Sequence, residues 1–394
     1  MTSRPSKPRV LLFSQRNILG KYLFRCPHFE FENVISQIDS VEVLAARADA
    51  SSLRSNFVKR MAYHIPISLN PGIRKIRGLA HYDVFFAVCG YPSDLLMVDA
   101  AIDWRNHCTT SVCLIDELWA KAIPLQRHFF RILKKFDLVF LYYSQTVRPL
   151  SECIGSKCIF LPPGVDTLLF SPYPKPPRRS IDVYSIGRRS EVTHQALLRM
   201  AAENGLFYLH DSIAGDKAID AGQHRALFAN TAKRSRYFLA NQGLIDRPQE
   251  TGKQVEIGNR YFEGAASGTI MIGERPHTEA FEMLFDWPDA VVHLDYDSSE
   301  IDRIINDLDR QPERQERIRR TNVVQSLLRH DWVYRWEAIL RAIGLEPMQQ
   351  LLYRKERLLN LARQITSEEN ECRQAATKGR TLSSIPVFMK KLGS

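Results

Sequence analysis

The chain has 394 residues, of which 44% are hydrophobic and 25% are charged, a balance that excludes extended disorder and collagen-like repeats. This length exceeds what a single hydrophobic core usually organises, so we expect two domains. The net charge of +10 at pH 7 indicates an anionic partner, and a nucleotide, a membrane surface or a nucleic acid would each satisfy it.

Short apolar runs of β type alternate with longer amphipathic stretches through the first part of the chain. The runs are apolar throughout and lie far enough apart for crossover helices, which is typical of parallel strands buried on both faces. We therefore predict a doubly wound, Rossmann-like α/β domain over residues 1–163. Its predicted strands are Val10–Ser14, Val41–Ala46, Val84–Cys89, Ser111–Ile115, Leu138–Tyr143 and Cys158–Leu161.

A proline-rich stretch, Ser171–Ser180, separates this domain from a second one, because no regular element continues through four prolines in ten residues. We place an interdomain linker at residues 164–180. The strand and helix rhythm then resumes, which predicts another Rossmann-like domain over residues 181–330 and a ligand cleft between the carboxyl ends of the two sheets. Its predicted strands are Asp182–Ile186, Phe207–His210, Tyr237–Ala240, Thr269–Ile272 and Val291–Leu294.

The strongest chemical signal is a loop and helix in the second domain. The loop contains Gly258, the helix begins at Asn259 or Arg260 and ends before Gly268, and a buried strand follows. Backbone N–H groups at such a helix start attract anions, and Arg260 adds a fixed positive charge, so a diphosphate would fit there. Glu263, in the first turn, could accept hydrogen bonds from both hydroxyls of a ribose. Its alternative role is to complement the helix dipole.

The stretch Arg260–Gly268 resembles the signature R-x-F-E-x-x-A-x-G of the group-1 retaining glycosyltransferases. The resemblance implies a GT-B fold, in which two Rossmann-like domains face a central cleft, and transfer of a sugar from a nucleotide diphosphate sugar with retention of configuration. Two glutamates spaced E-x7-E flank the donor in that family, and Glu263 matches the second, which contacts the ribose. The first position falls on Val255, so a catalytic, sugar-contacting role for Glu256 needs a shift of one residue.

Two other segments resemble the same family. Leu161–Pro172 resembles its interdomain segment P-x-G-V-D-x-x-x-F-x-P, whose role is mainly structural. His330–Trp336 resembles the closing helix that packs back on the first domain, so the resemblance implies such a helix over residues 331–345.

Gly187, Arg188 and Arg189 follow the first strand of the second domain and resemble the Gly-Arg pair that the family places beside the donor diphosphate. A departing nucleoside diphosphate gains negative charge that cationic side chains stabilise, so we assign Gly187 to donor binding and both arginines to catalysis. The lysine that the family carries nearby is absent from residues 190–196, and Arg189 or His194 would take its place. An exposed arginine pair is the alternative interpretation.

Polar residues at strand ends of the first domain are candidates for the acceptor side. Asp116 and Glu117 follow the fourth predicted strand, where the family often carries an acidic or polar residue, and we count Asp116 among the catalytic candidates. Asn17 and Gly20 lie in the first loop between a strand and a helix, where a glycine allows close approach of a ligand. Each of these residues could instead be a helix cap or a turn residue.

We expect neither a metal nor a cofactor besides the nucleotide sugar. Asp295 and Asp297 have the D-x-D form of metal-dependent transferases, but Asp297 and Glu300 also have capping-box spacing before an apolar-periodic helix. His277 and His293 lack ligand spacing. The seven cysteines are odd in number and form no CxxC pair, which argues against a zinc site or a disulfide framework and suggests reduced thiols.

No apolar run has the length of a signal peptide or a membrane span, so we expect a cytoplasmic protein. Residues 346–394 form a predicted basic helical tail that could contact an anionic membrane at the inner face and so suit a lipid-linked acceptor. A loosely packed terminal helix is equally compatible. In Arg310–Arg320 arginines alternate with glutamates, which favours a solvated helix face, and we expect no nucleic-acid partner.

The sequence leaves several questions open. The nucleotide is uridine or guanosine diphosphate, among others, and the acceptor is a glycan, a polysaccharide in biosynthesis or a lipid-linked sugar. A nucleotide-sugar epimerase or a phosphorylase on the same scaffold is the rival enzyme, because fold does not fix chemistry. A protein that binds a nucleotide sugar or glycan without turnover is the third alternative.

Overall fold

The computed structural model describes residues 8–48, 70–101, 103–211 and 217–382, except for the side chains of residue 101 and residues 368–382. Each predicted strand is present within one or a few residues of its expected bounds. The strands form two parallel sheets, one of six strands and one of five, with helices packed on them. The prediction of two doubly wound α/β domains is therefore confirmed.

The first sheet has the strand order β2-β1-β3-β4-β5-β6. Strand β2 lies on one side of β1, and β3 and all later strands lie on its other side, so the strand order reverses between β1 and β3. Ligands of open α/β sheets bind outside the carboxyl ends of the strands at such a switch point. The residues of β2 and β6 are half-buried or exposed, so the expected burial on both faces is wrong for these edge strands, which have a neighbour on one side only. The strands are β1 Val10–Ser14, β2 Val41–Ala45, β3 Tyr82–Cys89, β4 Cys108–Ile115, β5 Leu138–Leu141 and β6 Cys158–Phe160.

The second sheet has the order β11-β10-β9-β7-β8, so its switch point lies between β7 and β9. The segments that follow these two strands therefore open toward the cleft. The strands are β7 Ile181–Ser185, β8 Tyr208–His210, β9 Ser235–Leu239, β10 Ile270–Gly273 and β11 Val292–His293.

Helices fill the crossovers of both sheets and the C-terminal part of the chain. Short 3-10 turns occupy Leu23–Arg25, Pro92–Asp94, Trp104–His107, Ala120–Ala122 and Ser144–Thr146. The helices are α1 Arg16–Leu19, α2 Cys26–Ile38, α3 Leu95–Ala101, α4 Ile123–Gln126, α5 Phe130–Leu133, α6 Val147–Ile154, α7 Thr167–Phe170, α8 Glu191–Asn204, α9 Ala221–Lys233, α10 Pro248–Thr251, α11 Asn259–Ala266, α12 Glu279–Leu284, α13 Ile301–Asp309, α14 Pro312–Arg329, α15 Trp332–Ala342 and α16 Gln349–Leu382.

Helix α15 packs against α2 of the first domain. Trp332 stacks on Phe31 with ring centroids 4.7 Å apart, and Trp336 lies 5.3 Å from Phe86. Both tryptophans are fully buried, and burial of such large side chains contributes several kcal/mol of stability. The chain thus crosses from the second domain back into the core of the first.

The first turns of the tail helix α16 also belong to this core. Leu351, Leu358, Ala362 and Ile365 are buried, and they recur near heptad spacing on one side of the helix. That apolar side is therefore covered by protein along its described part, and a membrane contact of the tail stays a prediction. No helix among the described residues combines the length and apolar character that crossing a bilayer requires.

Helix α13 begins differently from the expectation. Its N-cap residue is Glu300, whose side chain accepts no hydrogen bond from the backbone of the helix. Asp297 instead accepts a hydrogen bond of 2.8 Å from the hydroxyl of Ser190. The predicted capping box is therefore wrong. Asp297 ties the start of α13 to the start of α8, where Ser190 is the N-cap.

Candidate active site

A cleft of about 380 Å³ lies between the carboxyl ends of the two sheets. Both domains contribute side chains to its wall, and the second domain supplies mainly cationic and backbone groups, whereas the first supplies acids and aromatic rings. The first domain contributes Phe24, His28, Tyr91, Asp116, Glu117 and Tyr143, and the second contributes Gly187, Arg188, His224, Arg225, Gly258, Asn259 and Arg260.

Helix α11 presents its amino end to this cleft. It begins after Gly258, and Gly268 follows its end with φ +63°, a left-handed conformation that favours glycine. Gly264 lets the helix lie close to the sheet, because a Cβ there would be 2.7 Å from the sulfur of Met271. The predicted loop, helix and strand are therefore confirmed, and the free N–H groups at the helix start face the cleft with Arg260.

The segment after β7 lies beside Arg260. Gly187 has φ +84°, and its backbone N–H donates to Asp211 at 2.7 Å. Arg188 lines the cleft, and its Nη1 lies 3.3 Å from a carboxylate oxygen of Asp246. The pair is exposed and therefore weak, so an anionic ligand can replace Asp246 as the partner of Arg188. The structure thus brings Gly187 and Arg188 together with the start of α11.

Two residues that were predicted to act on the donor, Arg189 in catalysis and His194 in binding, lie elsewhere. Arg189 donates to the carbonyl oxygen of Asp211 at 3.1 Å and is not part of the cleft wall. His194 is buried, with Nδ1 3.0 Å from the hydroxyl of Tyr208, and burial together with Arg189 lowers the pKa of the imidazole. His194 faces the sheet because it lies on the packed side of α8, so neither residue supplies the missing lysine in this conformation.

Glu263 is buried one turn into α11, behind the cleft wall. Its carboxylate accepts hydrogen bonds from Arg225 and Arg260, both of which line the cleft. Burial alone would raise the pKa of Glu263, but the two guanidiniums outweigh it and lower that pKa. Since both oxygens are occupied, ribose binding by Glu263 requires one arginine to leave it, and that role stays a prediction.

Arg225 carries this ion pair across the domain boundary. Its Nε donates to Glu30 of α2 at 2.6 Å, and both side chains are about 5% exposed or less. Glu30 also accepts from the indole of Trp332 and from the backbone N–H of Asp166, both at 2.8 Å. One carboxylate therefore joins the first domain, the linker, α15 and α9.

These charges were not recognised in the sequence. Glu30 and Glu32 alternate with Phe29 and Phe31 in α2, and both glutamates are buried, so two glutamates beside large apolar residues were the available signal. Arg225 lies in α9 among both polar and apolar residues, and no sequence pattern marked it as a partner of these glutamates. His28, from the same helix as Glu30, was also missed.

Glu256 forms a second link between the domains. Its carboxylate accepts hydrogen bonds from the backbone N–H groups of Ser144 at 3.0 Å and Gln145 at 3.1 Å, and from the side chain of Gln254 at 2.6 Å. Ser144 and Gln145 start a 3-10 turn of the first domain, so Glu256 satisfies its free N–H groups. Glu256 is 2% exposed and does not line the cleft, and its predicted catalytic role finds no free oxygen here.

Burial raises the pKa of Glu256 from 4.5 to about 7, so this carboxyl should shape the pH dependence of stability. A folded-state pKa above the unfolded value makes its contribution fully present at low pH and lost as the pH rises through about 7. We expect Glu256→Gln to flatten the decrease in melting temperature between these pKa values. Thermal unfolding across pH 5 to 8 measures it, with the exposed Glu152→Gln as the control. An unchanged profile in Glu256→Gln would contradict the raised pKa.

The first-domain wall places an acid beside an imidazole. Asp116 Oδ2 lies 2.6 Å from His28 Nε2, and both residues line the cleft. Glu117 accepts a hydrogen bond from the indole of Trp119 at 3.0 Å, and burial raises the pKa of the Glu117 carboxyl. Asp116 and Glu117 thus lie where the sequence expected an acceptor.

Asn17 and Gly20 lie away from the cleft. The amide of Asn17 donates to the carbonyl of Ala45 at 3.4 Å and lines a shallow basic pocket beside β2. Gly20 ends the short helix α1, where a Cβ would be 2.2 Å from the carbonyl oxygen of Arg16. Asn17 lies within α1 and Gly20 directly follows that helix, and neither residue lines the cleft.

No cluster of three or more His, Cys, Asp or Glu side chains that could hold a metal occurs in the part of the chain that the structure describes. Asp295 lies 3.0 Å from His293 at the surface, and Asp297 binds Ser190.

Comparison with known proteins adds to this geometry. Residues 188–341 match the family model described as glycosyl transferase-like. The match supports a relationship of this part of the chain to glycosyltransferases. It contains Arg188, which the sequence assigned to catalysis, and Arg260 and Glu263, which the sequence assigned to donor binding. No curated protein matches the chain.

Several solved structures are similar to the chain. An alpha-glucosyltransferase in complex with UDP and a 13-mer DNA has 10% identity and a TM-score of 0.50, covering 85% of this chain and 99% of its own. The N-terminal domain of Candida albicans trehalose-6-phosphate phosphatase has 9% identity and a TM-score of 0.50, covering 88% and 98%. Anabaena HepE with UDP-glucose has 12% identity and a TM-score of 0.49, covering 85% and 99%. The likeness at a TM-score of 0.50 supports the GT-B fold.

Proposed function

We propose that this chain transfers a glycosyl group from a nucleoside diphosphate sugar to a hydroxyl of a second substrate. The observation that carries the proposal is the polarity of the cleft: Arg188, Arg260 and the amino end of α11 face the acids of the first domain. The cationic wall fits a diphosphate, and Asp116 and Glu117 fit hydroxyl groups. The alpha-glucosyltransferase of similar fold binds UDP, which favours UDP over GDP as the carrier.

In the proposed reaction the bond between the sugar C1 and the diphosphate oxygen breaks, the acceptor hydroxyl oxygen bonds to C1, and the hydroxyl proton passes to His28 beside Asp116. Negative charge develops on the leaving diphosphate, where Arg188, Arg260 and the helix N–H groups stabilise it. These groups supply positive charge from the protein itself, which supports a metal-independent reaction. Segments joined across the cleft by Glu256 and Glu30 exclude water that would hydrolyse the donor.

Retention of configuration and a glycan or lipid-linked acceptor are further parts of the proposal. Retention is supported by the resemblance of Arg260–Gly268 to the retaining signature. The anomeric proton coupling of a purified product, measured by NMR, tests it. A product of inverted configuration would contradict retention and leave glycosyl transfer intact.

A donor screen tests the proposed activity. The full chain is incubated with UDP- and GDP-sugars, with and without glycan and lipid-linked acceptors, and products are separated by mass spectrometry. Acceptor-dependent release of UDP with a glycosylated product is expected. Epimerised donor without transfer would support the rival epimerase, and donor binding without any product would support the binding protein.

Asp116→Asn is expected to lower kcat about 100-fold while changing the KM for the donor by less than threefold, because Asp116 orients His28 on the acceptor wall and lies across the cleft from the cationic donor groups. Initial rates at varied donor and acceptor concentrations measure both constants. Asp99→Asn, which loses a surface pair with Lys135 outside the cleft, is the matched control. Equal kcat values for the two variants would remove Asp116 from the reaction.

A further inference from the structure

A second pocket, of about 410 Å³, opens on the second domain where the linker passes helix α14. Four arginines contribute to its wall: Arg178, Arg179, Arg236 and Arg319. Glu316 is the one acidic residue among the described residues that line it. Proline and tyrosine side chains of the linker form the remaining, apolar part of the wall.

The positive charge of this pocket is only partly compensated. Arg236 pairs with Asp182 and Asp309, but the Glu316 carboxylate binds Arg320 at 2.6 Å. Arg319 donates from Nη2 to the amide oxygen of Gln315 at 2.7 Å. Its Nε is buried and has no hydrogen-bond partner within the described residues.

Among the residues that the structure describes, the hydrogen-bond partners of Arg179 are neutral. Its guanidinium donates to the carbonyl oxygens of Ser235 at 2.6 Å, Gly268 at 2.7 Å and Ser267 at 3.2 Å. Burial and the neighbouring charge of Arg319 lower the pKa of Arg179 to about 9. Two cations thus oppose each other in a half-buried space, an arrangement that a bound anion would relieve.

We propose that this pocket binds the phosphate group of a small organic phosphate. The guanidinium fork matches phosphate oxygens in pairs, and Arg178 and Arg319 can donate without breaking a salt bridge to a carboxylate. The volume exceeds that of a phosphate, so the organic part of the ligand would lie against Pro172 and Tyr173.

The pocket is separate from the cleft. Arg179 contacts the carbonyls at the carboxyl end of helix α11, whereas the amino end of that helix lines the cleft. Eight helical residues span about 12 Å. The proposal therefore stands independently of the reaction proposed for the cleft.

Calorimetric titration with inorganic pyrophosphate tests the site. The titration is done on an Arg260→Ala background, so that the cleft contributes less to the binding. We expect Arg178→Gln combined with Arg319→Gln to weaken the remaining pyrophosphate affinity about tenfold or more, since each loses a charge-assisted hydrogen bond. Arg179 is left intact because it holds three backbone carbonyls.

The control removes the same number of charges outside the pocket. This control is the double variant Arg310→Gln with Arg317→Gln. Arg310 follows α13 and Arg317 lies on α14, both at exposed positions, so the pyrophosphate affinity should stay within twofold of that of the Arg260→Ala protein. Circular dichroism verifies that each variant folds. Equal losses in the two double variants, or no loss in the pocket variant, would overturn the proposal, because binding would then depend on net charge or on the cleft.

A lipid headgroup offers the same phosphate chemistry as a soluble ligand. Flotation with phosphatidylcholine vesicles that contain or lack phosphatidic acid distinguishes the two sources. Flotation that depends on phosphatidic acid and on both arginines assigns the site to a lipid phosphate. Pyrophosphate binding without flotation assigns it to a soluble one.

Discussion

Replacing Arg225 by methionine is expected to lower the free energy of unfolding by about 3–5 kcal/mol, because it leaves the buried Glu30 without a cation and Glu263 with Arg260 alone. Glu30 and Glu263 are about 5% exposed or less and reach Arg225 from opposite domains. Methionine keeps the side chain long and apolar between the rings of Phe170 and Phe228, so lost packing contributes little. Urea unfolding followed by circular dichroism measures the change.

Arg105→Met is the control for this prediction. Arg105 pairs with Asp137 within the first domain, and both side chains are about 40% exposed. A loss of about 1 kcal/mol or less is expected there, because water compensates the remaining partner. Similar losses for the two variants would mean that Arg225 is no more important than a surface pair.

The double variant Arg225→Met with Glu30→Gln separates charge from packing. Removing the charge of Glu30 along with its partner should recover part of the lost stability, whereas two independent losses would add. The recovered part measures the electrostatic coupling between α2 of the first domain and α9 of the second.

The same ion pairs couple the cleft to the orientation of the domains. Arg225 contacts Glu263, and Glu263 also binds Arg260 at the cleft wall. A diphosphate that draws Arg260 away from Glu263 would strengthen the attraction between Glu263 and Arg225. Because Arg225 also binds Glu30, the contact between the two domains would change as well. In the proposed complex, donor binding and domain contact would therefore be linked through four adjacent side chains, Arg260, Glu263, Arg225 and Glu30.

The fold was predictable from the sequence because parallel strands buried on both faces leave uninterrupted apolar runs. Helix α11 and its glycine loop were also predictable, for a local reason: Gly258 precedes the eight residues of the helix and Gly268 follows them closely. The prediction erred where the outcome depends on neighbours. Strand β2, which contains Glu42, was expected to be buried on both faces, but it is an edge strand and partly exposed. Asp297 was expected to cap α13, but it binds Ser190 at the start of α8.

The ionic part of the site could not be predicted in the same way. Arg225 and Glu30 are 195 positions apart in the chain, so no local spacing pairs them. Glu256 was assigned a catalytic role from a shifted motif, but its backbone partners at Ser144 and Gln145 belong to the other domain. Contacts between domains depend on how the two sheets pack, which the pattern of apolar residues does not encode.

In the Arg178→Gln, Arg319→Gln background, which removes the proposed second phosphate site, Arg260→Ala should weaken both UDP and inorganic pyrophosphate about 10- to 100-fold in calorimetric titration. The substitution removes a charge-assisted contact to phosphate worth about 1.5–3 kcal/mol. Arg303→Ala, which loses only an exposed pair with Glu300, is the control and should leave both affinities unchanged.

Glu263→Gln then distinguishes the two roles open to this carboxylate. In the proposed complex Arg260 turns to the diphosphate and frees one oxygen of Glu263 for a ribose hydroxyl, so the variant should weaken UDP more than tenfold and pyrophosphate less than threefold. Equal weakening of both ligands would mean that Glu263 only positions Arg260. Ribose recognition would then have to come from another group of the cleft wall, and the donor site would rest on Arg188, Arg260 and the amino end of α11 alone.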